Sequence, residues 1–329
     1  MSTPDLPPID ETGGLIDATI LPGGTPLDWR TLAPVPGETR WVHLDLAAER
    51  ARAWLTEEAG LHPLVADHLL EDETRPGAEA IGEGLLVILR GVNMNPGAAP
   101  DDMIAIRIWI EPGRVITLRR ERFQTMHHLR SLAAQGAAPL TPGAFLAAVT
   151  EGLADRLDPC VDNLDEMLDD IESAMLEQGT DEPGWRATLA TIRRQAISYR
   201  RYLVPQREAA RVLAGMATPL LDDHDRLKLR LAAEQIARVC EALEELRDRA
   251  AVTADELRAR HEERLSRTLY LLTIVATIAL PLGLITGLLG VNVGGIPLSG
   301  SHIGFIVVCA VLVGVAAIEF IIFRRMRWL

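Results

Sequence analysis

The tripeptide Gly-Val-Asn occurs twice in the chain, at Gly91-Val92-Asn93 and at Gly290-Val291-Asn292. An asparagine amide oxygen, with the backbone carbonyls beside it, is a neutral oxygen ligand. Such a ligand can hold a hydrated cation without trapping it as a carboxylate cage would. Few other groups compete for a chemical role. The stretch Gly290–His302 has no thiolate and no carboxylate, and His302 is its only strong zinc ligand. A tight, dehydrated zinc site is therefore not expected there. His127-His128, beside Arg119, Arg120 and Arg122, reads as solvated surface. There is no P-loop, no GxGxxG after a strand, no HExxH and no GxSxG, so nothing points to an enzyme. Three letters alone do not separate the two asparagines; the elements around them must.

Charge separates them first. From Thr268 to Ile318, 51 residues, there is no Asp, Glu, Lys or Arg. Before Thr268 there are 30 basic and 45 acidic residues, a net of −15. An acidic body of that size excludes nucleic acid as a partner and suits the attraction of cations. The uncharged window and the five residues after it hold two apolar runs of 21 residues, Leu269–Leu289 and Ile303–Phe323. About 20 apolar residues cross the hydrocarbon core as a helix, so the runs read as a membrane hairpin in a lipid bilayer. Pro281 is tolerated in a membrane helix whose neighbours satisfy the freed carbonyl. Arg264 and Arg267 precede the first run, Arg324, Arg325 and Arg327 follow the second, and the connecting loop has no basic residue. The positive-inside tendency then places both termini in the cytoplasm and the loop outside. MSTPDLPPID does not read as a signal peptide, and Cys160, Cys240 and Cys309 form no CxxC pair, so the acidic portion is expected to be cytoplasmic.

That portion reads as α/β followed by all-α. Residues 41–45, 84–90, 103–110 and 114–119 are short runs rich in β-branched and apolar residues, bounded by turn residues as strands are. Gly91-Val92-Asn93 follows the second run, where an ordinary strand-ending turn is expected. From about Thr141 the period is helical, and Asp155, Asp158, Asp162, Asp165, Asp169 and Glu172 recur at that spacing. Two readings of these acids stay open: a solvated face, or a weak divalent-cation or inter-subunit surface. Asp181-Glu182-Pro183-Gly184 ends this helix, a second runs from about Trp185 to Ala217, and a third begins near Asp222. The third meets no Pro or Gly until Pro281; continued to Leu289 it would be about 100 Å long. A helix of that length needs partners, in a bundle or an oligomer.

Along the first apolar run, Leu269, Leu272, Ala276, Leu280, Gly283, Gly287 and Gly290 recur every three or four residues. This is the 3.5-residue period of a stripe facing a bundle axis. Small residues permit close packing, which is one reading of Gly283 and Gly287. The other is a pore lining, with Leu269, Leu272 and Leu280 as a constriction that closes by excluding water. Thr273 is counted among the pore-lining residues on that reading.

A Gly-x-Asn tripeptide closing the first of two C-terminal spans, after a very long helix, resembles the CorA family of divalent metal-ion transporters. LLEDETRPGAEAI (Leu69–Ile81), RRYLVPQREAARVL (Arg200–Leu213) and the basic ending RRMRWL (Arg324–Leu329) also look like family segments. The similarity covers about residues 40–329. The family usually has Met between the Gly and Asn and an acidic residue in the loop. Val291 and the uncharged loop, with YLLTIVATIALPLGLITGLLGVNVGGIP, look like the ZntB zinc-transporter branch.

The resemblance implies a homopentameric funnel: an α/β/α cytoplasmic domain with a helical hairpin (1–220), a stalk helix (221–267) and a pore helix (268–290). An outer loop (291–302), a second transmembrane helix (303–323) and a basic cytoplasmic tail (324–329) complete it. It implies that Gly290, Val291 and Asn292 form the outer-mouth filter, with Asn292 meeting the metal through the ion's water. It implies a transported divalent cation, zinc before magnesium, cobalt or nickel, no covalently bound cofactor, residence in a bacterial-type inner membrane, and protons as a coupled partner. Glu319 is the one charged residue in the second run and the candidate for that coupling, snorkelling or pairing with a terminal arginine being its plainer reading.

Overall fold

The computed structural model describes residues 13–23, 25–99, 101–178, 184–290 and 302–325. They fall into two units, Met1–Ala254 and Asp255–Leu329. In the first unit the four strands expected from the sequence form at Thr39–Asp45 (β3), Gly84–Val92 (β5), Met103–Glu111 (β6) and Arg114–Arg119 (β7). Three more join them: Leu15–Leu21 (β1), Thr25–Pro26 (β2) and Gly77–Ile81 (β4). β1 carries Asp17 and Ala18, β2 Pro26, and β4 Gly77, Ala78 and Ala80, weak strand formers that sheet pairing overrides. The sheet order is β2-β1-β3-β7-β6-β5-β4, with β3 and β7 parallel and every other pair antiparallel.

Alternation along the strands gives the sheet two apolar faces. Val42, Leu44, Leu86, Ile116 and Leu118 pack with Trp54, Leu55, Val65 and Leu69. These come from the π-helical turn Trp54–Glu58 and α2 (Pro63–Leu70); Ala51 of α1 (Glu49–Ala53), which the turn continues, joins them. On the other face Trp41, Val87, Leu89, Ile106 and Ile108 pack with Met126, Leu129, Phe145, Leu146 and Leu153. These belong to α3 (Gln124–Ala134) and α4 (Pro142–Ala154). The result is an α/β/α sandwich.

The helical pattern from Thr141 divides where one helix is expected. The chain turns after Ala154, and α5 (Asp158–Gln178) starts afresh with Pro159 in its first turn, where a missing N–H costs nothing. Next come α6 (Trp185–Gly215) and α7 (Asp223–Leu289, 67 residues). Of the predicted breaker Asp181–Gly184, only Gly184 is among the described residues; its φ of +125° suits glycine ahead of α6. A reciprocal pair starts α7. Asp225 N–H donates to Asp222 Oδ1 at 2.8 Å and Asp222 N–H to Asp225 Oδ2 at 3.2 Å, so two orphan donors are satisfied. Burial pushes the Asp225 carboxyl up from its ordinary value.

His43, on β3, is 1% exposed, with Nδ1 2.8 Å from Thr117 Oγ1. Burial first, then the charges of Arg119 and Arg130, hold its imidazole well below the usual 6.5. The unfolded chain takes up a proton near 6.5 while the folded chain resists it. Stability is therefore complete above that pH and is lost as the pH falls through and below it. We expect the unfolding midpoint of the full chain, followed by circular dichroism, to drop on acidification from about pH 7 to 5. His43→Gln should flatten that dependence; an unchanged slope would remove His43 as its source.

Candidate ion pathway

The two Gly-Val-Asn copies sit in different surroundings. Gly91 lies inside β5 and is not one of the positive-φ glycines, contrary to the expected turn. Its reason is packing: a Cβ there would lie 2.7 Å from Leu153 Cδ2 and 3.0 Å from the Phe123 ring. Asn93 follows the strand, with its amide fully engaged. Nδ2 donates to Asp102 Oδ2 at 2.7 Å and Glu121 Oε2 at 3.0 Å, and Oδ1 accepts from the Asn95 backbone N–H at 3.1 Å and side-chain N–H at 2.6 Å. This copy is a loop staple.

Gly290 closes α7, its N–H donating to Thr286 O at 2.9 Å. Val291, Asn292 and the loop to Ser301 lie outside the described residues, as does the side chain of His302. Within α7, Thr273 donates its hydroxyl to Leu269 O at 2.8 Å, Thr277 to Thr273 O at 2.7 Å and Thr286 to Leu282 O at 2.8 Å. The hydroxyl hydrogens are satisfied inside the helix and the threonine oxygens remain acceptors. A Cβ built at Gly283 or Gly287 meets nothing within 4 Å, so no described part of this chain requires glycine there. Leu269, Leu272 and Leu280 are exposed, and so are Val275, Leu284 and Leu288 on other faces, so the chain's own core takes up neither side.

The second helix, α8 (His302–Arg325), carries one charge in its apolar run, Glu319. Glu319 Oε2 is buried and has no hydrogen-bond partner among the described residues, and no ion pair there joins it to Arg324 or Arg325. A buried, unpaired carboxyl oxygen in such a helix stands out.

The acidic stripe of α5 faces α7 inside the first unit. Arg249 donates to Asp165 at 2.7 Å, Asp169 at 2.5 Å and Glu172 at 2.7 Å, and Thr253 to Glu172 at 3.0 Å. Gln235 donates to Asp158 at 3.0 Å and Asp155 at 3.4 Å, while Asp162 is exposed. The side-chain hydrogen bonds that Arg249 donates to Glu172 and Asp169 raise its pKa. Asp155, Asp158, Asp162 and Asp169 are exposed, as a solvated face requires, and the Arg249 clamp is an addition to that reading. Its signal is Arg249 and Thr253 one turn apart on the long helix. Among the described residues no three His, Cys, Asp or Glu side chains group as a metal site. His127 and His128 are exposed on α3.

The family model of the CorA-like Mg2+ transporter protein matches residues 36–325. The chain belongs to this CorA-like family. It is a member of a transporter family and not an enzyme, and with two helices long and apolar enough to span a bilayer it is a membrane protein. This CorA-family chain is 37% identical over 296 residues to the divalent cation transporter CmaX of Pseudomonas aeruginosa, covering 90% of this chain and 89% of the relative. It is 32% identical over 289 residues to the zinc transport protein ZntB of Pectobacterium atrosepticum, covering 88% of each. The structure of the full-length CmaX protein superposes with a TM-score of 0.85 at 36% identity, over 96% of this chain and 98% of that one.

Proposed function

We propose that this protein carries divalent metal cations across a bacterial-type inner membrane, through the central pore of a homopentamer, with zinc as the ion taken up. The observation that carries the reading is the position of Gly290-Val291-Asn292, at the end of α7 and between two apolar helices, in a CorA-family chain. Residues 1–220 are the cytoplasmic α/β/α domain, 221–267 the stalk, 268–290 the pore helix, 291–302 the outer loop, 303–323 the second span and 324–329 the tail. Leu269, Leu272, Thr273, Ala276, Leu280, Gly283 and Gly287 line the pore. Gly283 and Gly287, which nothing in their own chain crowds, allow neighbouring pore helices to approach. The neutral loop and Val291, together with the similarity to the zinc transport protein ZntB, support zinc over magnesium or cobalt. A magnesium or cobalt channel of the CorA type is the alternative, with nickel a further candidate ion.

Zinc passes the filter in its water shell, held by Asn292 oxygens and backbone carbonyls. A membrane potential of about 100 mV, inside negative, supplies about 4.6 kcal/mol to a divalent ion. Proton coupling supplies the rest through Glu319, the only charged side chain between Thr268 and Phe323. The test is uptake by the purified protein in vesicles carrying a zinc-sensitive dye, with magnesium as competitor, and native mass spectrometry for the count of copies. We expect five copies, zinc uptake that an inward proton gradient accelerates, and loss of that acceleration but not of uptake in Glu319→Gln. Magnesium uptake with no zinc signal would overturn the choice of ion; equal acceleration in Glu319→Gln would remove Glu319 from the coupling.

A further inference from the structure

We infer that the basic ends of the two spanning segments form a site for anionic phospholipid headgroups, with Arg267, Arg324 and Arg325 as its donors. The inference rests on the reading that both helices cross the membrane. A chain that crosses twice returns to the side it left. Arg267, next to the start of the uncharged window, and Arg324-Arg325, directly after Phe323, then share one boundary between water and hydrocarbon.

Three observations in the second unit support lipid as the occupant. Pairing with carboxylates stops short of that boundary: Arg258 holds Asp255 at 3.0 Å and Arg260 holds Glu256 at 2.6 Å. By contrast Arg267, Arg324 and Arg325 are exposed and have no carboxylate within ion-pair distance among the described residues. All three cations are arginines, whose planar fork meets two phosphate oxygens at once. Tyr270, three residues after Arg267 and 42% exposed, has the amphipathic ring favoured at a membrane interface.

The chain's charge balance supports the same occupant. The residues before Thr268 carry a net of −15, so an anionic leaflet repels the body of the protein and any attraction must come from a local basic patch. Free phosphate would meet the same donors, but a headgroup arrives at the correct depth and at the high local concentration of a bilayer.

The test uses the full-length protein in nanodiscs of equal phosphatidylcholine and phosphatidylglycerol, with the lipids that stay bound counted by native mass spectrometry. We expect severalfold preference for phosphatidylglycerol, weakening with salt, and a loss of roughly fivefold for each of Arg267→Gln, Arg324→Gln and Arg325→Gln. No preference in the wild-type protein would overturn the site, whatever the variants do. A preference kept in all three variants would also overturn it. So would equal thermal protection by inorganic phosphate in phosphatidylcholine discs, which would indicate a free-anion site. Zinc flux in pure phosphatidylcholine vesicles separates this inference from the transport reading. Flux without lipid preference sinks the headgroup site alone, and loss of both sinks the spanning hairpin beneath it.

Discussion

Replacing Asn292 with Ala is expected to reduce metal uptake to background while the protein still inserts and assembles. The methyl group removes the side-chain oxygen and adds no bulk, so each subunit loses its contribution to the filter ring. A hydrated divalent ion then lacks the side-chain oxygens that hold its water shell, and the backbone carbonyls alone do not replace them. The first Gly-Val-Asn copy, ending at Asn93, is the internal control. The Asn93 amide oxygen already accepts from Asn95 at 3.1 and 2.6 Å, and its Nδ2 bonds two carboxylates, so it has nothing left to offer an ion. Asn93→Ala should cost about 1 kcal/mol of stability and leave flux close to wild type. Dye-reported uptake in vesicles, with native mass spectrometry for assembly, decides between them. Equal effects on flux from the two variants would sink the filter assignment.

The legibility of this protein in its sequence follows the strength of the physical signals. The uncharged window around α7 and α8 is readable because the bilayer tolerates almost no charge, and the helices end within a few residues of the apolar runs. The central strands are readable because both sheet faces are covered: 85–89 is an unbroken run of Leu, Val and Ile, and Ile104, Ile106, Ile108 and Ile110 recur at every second residue of the next strand. The edge strand GAEAI is hidden because Gly77, Ala78 and Glu79 have little strand preference of their own. The Arg249 clamp is hidden for another reason. Periodicity shows that Asp165, Asp169 and Glu172 share a face but is silent on what the face meets 77 to 84 residues later. Gly91 shows the same limit, since its closeness to Leu153 and Phe123 is a tertiary fact. The stripe from Leu269 to Gly290 stands between these cases. Its period is plain, yet a single chain exposes Leu280 and Leu284 alike, because other molecules must cover both.

Leu280→Asn is expected to give a folded protein with severalfold higher basal metal flux. Leu280 is on the stripe, one residue before Pro281, and 75% exposed in the single chain. On the pore axis, leucines from all five copies would narrow the path to a dry constriction, which closes because water is not stable between apolar walls. An amide at that position provides hydrogen-bond partners, the constriction stays wet and a hydrated ion passes. A Leu280 facing lipid would behave otherwise. Asn would meet hydrocarbon with no partner, and insertion or assembly would suffer without any gain in flux. Ile278, off the stripe and half-buried, is the control and should show no gain when changed to Asn. Basal uptake in vesicles, measured beside the assembled fraction, separates the outcomes. Should Ile278→Asn open the pore while Leu280→Asn only impairs assembly, α7 is rotated about its axis, and Leu269, Leu272 and Leu280 face the membrane instead of the ion.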